Sequence, residues 1–416
     1  MQTTQTQNFD IVIIGGGLVG ASLACALGDQ DVRVAVVEAV PLQSDDQPSY
    51  DERTLALSFG SAQIFAGLGV WSRIKELGAT PIRSIHVSDR GYLGKTRLHA
   101  HESGVDALGY VVPTRVIGCA LSERLSSFSN ITLFCPAMLQ SMQVGADSVT
   151  LTIQEASITH TLSCRLIIGA DGVDSAVRKL ANIGARTLDY QQDAIIGSVS
   201  CEKPHQNIAY ERFTSTGPIA MLPLPAFEDD PNRCAMVWTV RREDSETTMA
   251  LDDATFLAQL QARFGTHLGK LMKIGKRSVY PLSLRHATRH VLPRLALIGN
   301  AAHTLHPIAG QGFNLGLRDV AVLAQVIVDA VRQSRDPGAL TTLETYASWQ
   351  RRDQSRVISF TDGLVRAFSN RFPPLAMARN LGMFAAEIIP GMKQRLARQA
   401  MGLAGRQPRL TRGLPL

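Results

Sequence analysis

Apolar and polar positions divide the chain into stretches of different texture. The run 9–14 is apolar and ends in glycines, a helical stretch follows over 18–27, and a second apolar run, 32–37, ends at Glu38. That order predicts a β-α-β unit of about thirty residues, the building block of a parallel sheet. The pattern next predicts a helix over 61–77, a strand over 82–88, a helix over 114–128 and alternating strands over 148–153 and 158–168. From about 190 to 280 the texture changes. Short alternating runs (194–199, 209–213, 219–223 and 234–240) are separated by turn residues, with one helical stretch at 253–264. This predicts a mostly antiparallel sheet. An apolar strand over 295–298 and a long helix over 312–332 return to the parallel texture. The remainder, 340–404, reads as helical with breaks at Pro373, Pro374 and Pro390.

The glycines after the first strand are Gly15-Gly16-Gly17-Leu18-Val19-Gly20. Gly15 suits the tight turn, Gly17 lets backbone approach a pyrophosphate, and Gly20 lets the helix pack closely on the sheet. The helix start then presents free N–H groups and partial positive charge to the phosphates. Glu38, at the end of the second strand, is placed to accept hydrogen bonds from a ribose. The string implies dinucleotide binding without saying which dinucleotide. A second corner, Gly169-Ala170-Asp171-Gly172, closes the strand 166–168. Its sequence also fits a plain turn with a helix N-cap. A third corner follows the strand 295–298 and runs Gly299-Asn300-Ala301-Ala302-His303, continuing through His306-Pro307 to Gly310-Gln311-Gly312-Phe313-Asn314. Asn300 can bond a sugar-alcohol hydroxyl. The glycines leave room for a flat ring, and the helix start after them suits negative charge on that ring.

The expected architecture is therefore α/β. A Rossmann-like parallel-sheet domain is assembled from sections 1–80, 101–185 and 283–340. A strand segment, 81–100, and an inserted antiparallel sheet, 186–282, form a substrate domain, and 341–416 is a helical C-terminal region.

Composition narrows the class. A chain of 416 residues that is 45% hydrophobic and 19% charged has the makeup of a globular enzyme. The formal net charge is +6, and the segment 391–416 holds six Lys/Arg with no Asp or Glu. That segment reads either as a solvated tail or as a contact for an acidic surface such as anionic lipid. No nucleic-acid partner is implied. Cys25, Cys119, Cys135, Cys164, Cys201 and Cys234 form no CxxC pair and read as reduced thiols of a cytoplasmic protein, and no metal site is expected. The first residues lack the features of a signal peptide, and no apolar run is long enough to span a membrane.

The three corners, in this order, resemble the class A flavoprotein monooxygenases, the para-hydroxybenzoate hydroxylase family. Asn300 stands where that family usually has Asp. Within it, Tyr50-Asp51-Glu52-Arg53-Thr54-Leu55-Ala56-Leu57-Ser58 and His306 to Asn314 resemble the ubiquinone-biosynthesis hydroxylases. Glu211-Arg212-Phe213-Thr214 and Gly275-Lys276-Arg277-Ser278 are similar to the 2-polyprenyl-6-methoxyphenol hydroxylase branch. The resemblance implies FAD as cofactor, NAD(P)H as reductant and O2 as co-substrate, with oxygen transfer through a flavin C4a-hydroperoxide. It places Arg53 beside the flavin and its phosphates and Arg115 near the adenosine half. It makes Pro307 to Gly312 the wall of the oxygen-transfer site. His303 and His306 are candidate bases for the phenol proton, with a purely structural role open for each. A polyprenyl-phenol substrate implies an apolar tunnel, peripheral contact with the inner membrane and a ubiquinone-biosynthesis protein complex as partner. Leu375, Leu381, Phe384, Ile388, Ile389 and Leu396, with Lys393, Arg395 and Arg398, are the expected interfacial helix. A non-catalytic FAD-bearing scaffold and a plain NAD dehydrogenase remain as other readings. The Trp-X-Trp-X-Ile-Pro motif of related halogenases is absent: the tryptophans are Trp71, Trp238 and Trp349.

Overall fold

The computed structural model describes residues 6–41, 53–92, 94–227, 230–305, 310–368, 382, 384–385, 387 and 389–416. Its first sheet is built on parallel strands in the order Leu295–Leu297, Ile158–Gly169, Gln7–Ile14, Val34–Val37, Ile131–Phe134. Both faces are covered where the central strands approach their carboxyl ends, so 11–14, 34–37, 166–168 and 295–297 are apolar throughout rather than alternating. Ile11 and Ile13 point into one core with the helices Leu18–Leu27 and Gln311–Arg332. Val12 and Ile14 point into the other, beneath the hairpin Val149–Glu155 and Ile158–Gly169.

The second sheet runs His303–Thr304, Ser278–Ala287, Ala185–Cys201, Arg233–Arg241, Gly217–Pro223, Ile208–Thr214, Ser84–Asp89, Lys95–His99. It is antiparallel except between Ile208–Thr214 and Ser84–Asp89. Period-two alternation gives it two functions. On one side Trp238 packs against Phe256, Leu260 and Phe264 of the helix Asp253–Phe264. Residues of the opposite side, such as Ile85, Val87, Ala220 and Val237, are left facing a cavity. A small third sheet, Thr54–Ser58 with Gly109–Pro113 and Thr80–Ile82, stands beside that cavity.

Two expectations are corrected. The stretch 61–77 is not one helix but two, Phe59–Gly67 and Trp71–Gly78. Gly69 breaks it, with φ of +76°, a conformation that glycine adopts without a side-chain clash. The basic C-terminal segment is not a solvated tail. Gly60 N–H donates to the Met401 carbonyl (2.8 Å), Leu410 is buried, Arg409 pairs with Asp329, and the Arg406 guanidinium lies 3.8 Å from the Trp349 ring centroid. These contacts tie the last residues to the helices Phe59–Gly67, Gln311–Arg332 and Leu340–Phe368. All six cysteines are free thiols, and burial pushes Cys25 and Cys164 up to about 12.

Candidate active site

Register places the three glycine-bearing corners side by side. Ile14 is paired with Gly169 on one side and Val37 on the other, and Gly169 is paired with Leu297. The chain leaves these adjacent strands at their carboxyl ends, where ligands of such sheets bind. Ala170 N–H donates to the Ile14 carbonyl (2.7 Å) and Ile298 N–H to the Gly169 carbonyl (3.0 Å). The corners are therefore bonded to one another's strands.

Each corner is sterically committed. Gly15 has φ of +102°, and a Cβ there would sit 2.5 Å from the Ala170 oxygen. A Cβ on Gly20 would lie 1.9 Å from the Gly15 oxygen, so Gly20 serves helix–strand packing and does not itself line the cavity. Glu38 Oε2 accepts from Gly16 N–H (2.6 Å) and Oε1 from Val40 N–H (2.8 Å). This fixes the carboxylate at the rim of the corner with lone pairs left for a ribose. Asp171 Oδ2 accepts from Val177 N–H (3.1 Å), whereas Oδ1 is buried with no protein partner. A buried carboxylate oxygen on a cavity wall without a donor fits a ligand that brings one. Asn300 is exposed on the same cavity.

The cavity holds about 1290 Å³ and is lined by Gly15, Gly17, Glu38, Arg53, Asp171, Gly172, Asn300, Gly310, Gln311, Gly312, Phe313 and Asn314. Single small-ligand sites run from roughly 300 to 1,000 Å³, so there is room for a dinucleotide and a second molecule. Its far side is apolar. Ile85, Val87, Leu98 and Leu222 come from the second sheet, and Met392, Leu396 and Ala400 from the helix Pro390–Ala400. Arg53 joins the two halves: its guanidinium lies 5.6 Å from the Tyr280 ring centroid, and its carbonyl accepts from Thr114 N–H (2.8 Å).

At the third corner Gly310 takes φ of +61° and caps the helix Gln311–Arg332. Asn314 lines the cavity, and its side-chain hydrogen bonds also make it a clasp. Its Oδ1 accepts from Ser58 N–H (2.8 Å) and Ser61 Oγ (2.6 Å), and its Nδ2 donates to the carbonyls of Ala56 (2.8 Å) and Gly310 (2.6 Å). The small third sheet is thereby pinned to the helix start. Phe313 stacks on Phe65 at 6.4 Å.

Some sequence candidates are placed elsewhere. His303 does not line the cavity: its side chain is fully buried, with Nε2 2.6 Å from Asp319 Oδ2. An imidazole enclosed in this way cannot meet a phenol, which corrects its candidacy as a base. Arg115 is exposed on the helix Thr114–Leu125 and does not line the cavity, although Thr114 does. His306 and Pro307 lie outside the described residues, as do Leu375, Leu381 and Ile388. Of the expected interfacial set, Phe384 and Ile389 are exposed, Leu396 lines the cavity, and Lys393 pairs with Glu102 at 3.0 Å. Asp319, Tyr280 and the apolar wall of the second sheet were not singled out by sequence. The alternation of Ile85 and Val87 against His86 and Ser88 was the available signal for that wall.

The Asp319 surroundings are polar and closed. Burial alone would raise its carboxyl. The charge and hydrogen bond of His303 and the Gly299 N–H hold it below the usual carboxylate value instead. Nearby His290 is pushed down to about 3, first by burial and then by His303 and His286.

Comparison with known proteins agrees with this geometry. The sequence profile of the FAD binding domain matches residues 8–361. The chain is 40% identical over 413 residues to the ubiquinone hydroxylase UbiL of Rhodospirillum rubrum, which covers 98% of this chain and 93% of that protein. It is 34% identical over 404 residues to the 3-demethoxyubiquinol 3-hydroxylase of Escherichia coli, covering 95% and 99%. In fold it is similar to the p-nitrophenol 4-monooxygenase PnpA of Pseudomonas putida, with a TM-score of 0.78 at 18% identity over 97% of this chain and 100% of the other. The chain thus belongs to the family of FAD-dependent monooxygenases that carry this FAD binding domain, alongside the ubiquinone hydroxylases it resembles.

Proposed function

We propose that this protein hydroxylates a polyprenylated phenol in ubiquinone biosynthesis, with FAD as cofactor, NAD(P)H as reductant and O2 as the oxygen source. The observation that carries the reading is the single cavity: three cofactor corners form one end, and an apolar wall of the second sheet and the C-terminal helix forms the other. The substrate we favour is 2-polyprenyl-6-methoxyphenol, which would become the 1,4-benzoquinol. The 34% identity to a 3-demethoxyubiquinol 3-hydroxylase favours a second reading, oxidation at another ring position of the same pathway.

FAD, when bound, supplies the redox and oxygen-transfer chemistry that no side chain provides. The chain has four tasks. Gly15, Gly17 and the start of the helix Leu18–Leu27 offer N–H groups to the pyrophosphate, while Glu38 and Asn300 offer side chains to sugar hydroxyls. The start of the helix Gln311–Arg332 presents partial positive charge to an anionic ring. Arg53, over Tyr280, adds a full positive charge at the junction of the two halves. The apolar wall orients a lipophilic ring and keeps water from it.

Exposed Phe384 and Ile389, close in sequence to the wall residues Met392 and Leu396, support peripheral contact with a membrane from which such a substrate is drawn. Among the described residues no helix is long and apolar enough to cross one.

The test is turnover. Purified protein with FAD, NAD(P)H and a short-chain prenyl-methoxyphenol should consume the nucleotide in a substrate-stimulated manner and release hydroxylated product. A non-catalytic scaffold would show neither. Cells lacking the protein should accumulate polyprenyl-methoxyphenol, and accumulation of a later methylated quinol would shift the assignment to the second reading.

A further inference from the structure

We infer that Asp319 and His303 are positioning residues for the cofactor: one buried carboxylate clamps both ends of the third corner and holds Asn300 at the cavity. Asp319 Oδ2 accepts from Gly299 N–H (2.9 Å) and lies 2.6 Å from His303 Nε2. Those two residues bracket Asn300, Ala301 and Ala302. The other oxygen, Oδ1, accepts from Gln350 Nε2 (2.5 Å) and Gln354 Nε2 (3.2 Å) on the helix Leu340–Phe368. Four donors thus converge on one carboxylate that is fully buried.

An ionised carboxylate only accepts, so His303 carries a proton on Nε2. Such a charge-assisted arrangement is short and directional, and its geometry defines where the corner sits. Gly299 has φ of +57°, so its N–H is aimed inward at Asp319 while the next residue, Asn300, turns outward to solvent and cavity. The strand supplying the corner is only Leu295–Leu297, and the strand that follows it is only His303–Thr304. Ladder hydrogen bonds therefore do little to fix the segment between them, and the Asp319 clamp supplies what they lack. The same carboxylate joins this corner to the helix Leu340–Phe368, whose Val357 packs on Leu305 and Leu315.

This inference rests on Asn300 meeting the cofactor, and the experiment separates the two. FAD dissociation constants and apoprotein melting temperatures are measured for the full chain and for Asn300→Ala, Asp319→Asn, His303→Leu, His303→Gln and Val199→Ala. Glutamine keeps a donor where Nε2 stood, and Val199 is a buried control in the second sheet. Asp319→Asn and His303→Leu should weaken FAD binding at least tenfold, His303→Gln should recover to within threefold of the unsubstituted chain, and Val199→Ala should lower the melting temperature with FAD affinity changed by less than twofold. Flavin visible circular dichroism should change in Asp319→Asn and not in Val199→Ala. The inference is overturned if Asn300→Ala weakens FAD and the clamp variants only lower the melting temperature, or if glutamine binds FAD no better than leucine at 303. If Asn300→Ala itself leaves FAD affinity unchanged, the assignment of that corner fails first. Should Asp319→Asn not fold, the leucine–glutamine comparison at 303 decides alone.

Discussion

Gly312→Ala separates the needs of the protein from those of the cofactor, because the two carry opposite signs. Gly312 is in the first turn of the helix Gln311–Arg332, and its φ lies outside the left-handed region. A Cβ built there meets nothing within 4 Å, and the residue lines the cavity. For the apoprotein the change is thus a glycine-to-alanine replacement at an unstrained helical position, which stabilises by roughly 0.5–1 kcal/mol. For the holoprotein the same methyl enters the space assigned to the flavin ring. Overpacking by one carbon costs about 1–3 kcal/mol, or roughly fivefold to 150-fold in affinity. The assay is a melting scan of the apoprotein beside a fluorescence titration with FAD. Apoprotein as stable as the parent or slightly more so, with FAD bound at least fivefold more weakly, is the expected pair of results. A variant that binds FAD like the parent would refute the placement of the ring against this helix start.

Three further outcomes follow from the geometry. Gly20→Ala puts a Cβ 1.9 Å from the Gly15 backbone oxygen, which no side chain can relieve, so it should cost about 3 kcal/mol and show as a lower apoprotein melting temperature together with loss of FAD. Ala220→Trp, on the apolar wall, should leave FAD affinity intact and raise KM for the lipophilic phenol more than tenfold in steady-state assays. Acid stability should reflect two buried histidines: burial first, then neighbouring charges, push His86 down to about 4 and His290 to about 3 from an ordinary 6.5. Only the unfolded chain binds these protons between pH 6.5 and 4, so stability is full above 6.5 and falls as pH drops, by about 1.4 kcal/mol per pH unit for each histidine. Denaturant unfolding of His86→Asn across that range should show the slope reduced by one proton, and an unchanged slope would refute the assignment.

The cofactor end was legible because its chemistry is local. A strand, a glycine turn and a helix occur within consecutive residues; the left-handed turn at Gly15 and the contact of Gly20 with the Gly15 oxygen are local, although the space beside Gly15 is closed by the distant Ala170. Glu38 was found for the same reason, at the end of the next strand. The antiparallel sheet was visible in period-two alternation, and the helix Asp253–Phe264 in its apolar face. What escaped depends on contacts between distant segments. Asn314 reads as a cofactor residue by its motif, yet its four hydrogen bonds go to Ser58, Ser61, Ala56 and Gly310, three of them some 250 residues away in sequence. His303 reads as a candidate base with a structural role open, and only the fold shows Asp319 enclosing it. The basic C-terminal segment reads either as a free tail or as a contact for an acidic surface, because Asp329 and Trp349 precede the arginines they engage, Arg409 and Arg406, by 80 and 57 residues.

The structure of the protein loaded with FAD bears most directly on the central claim that three adjacent strand ends hold one cofactor. A single FAD should extend from Glu38 to Gly312, with its pyrophosphate over Gly15–Gly17 and contacts to both Asp171 and Asn300. FAD found against only one of the three corners, or outside the cavity, would contradict the account.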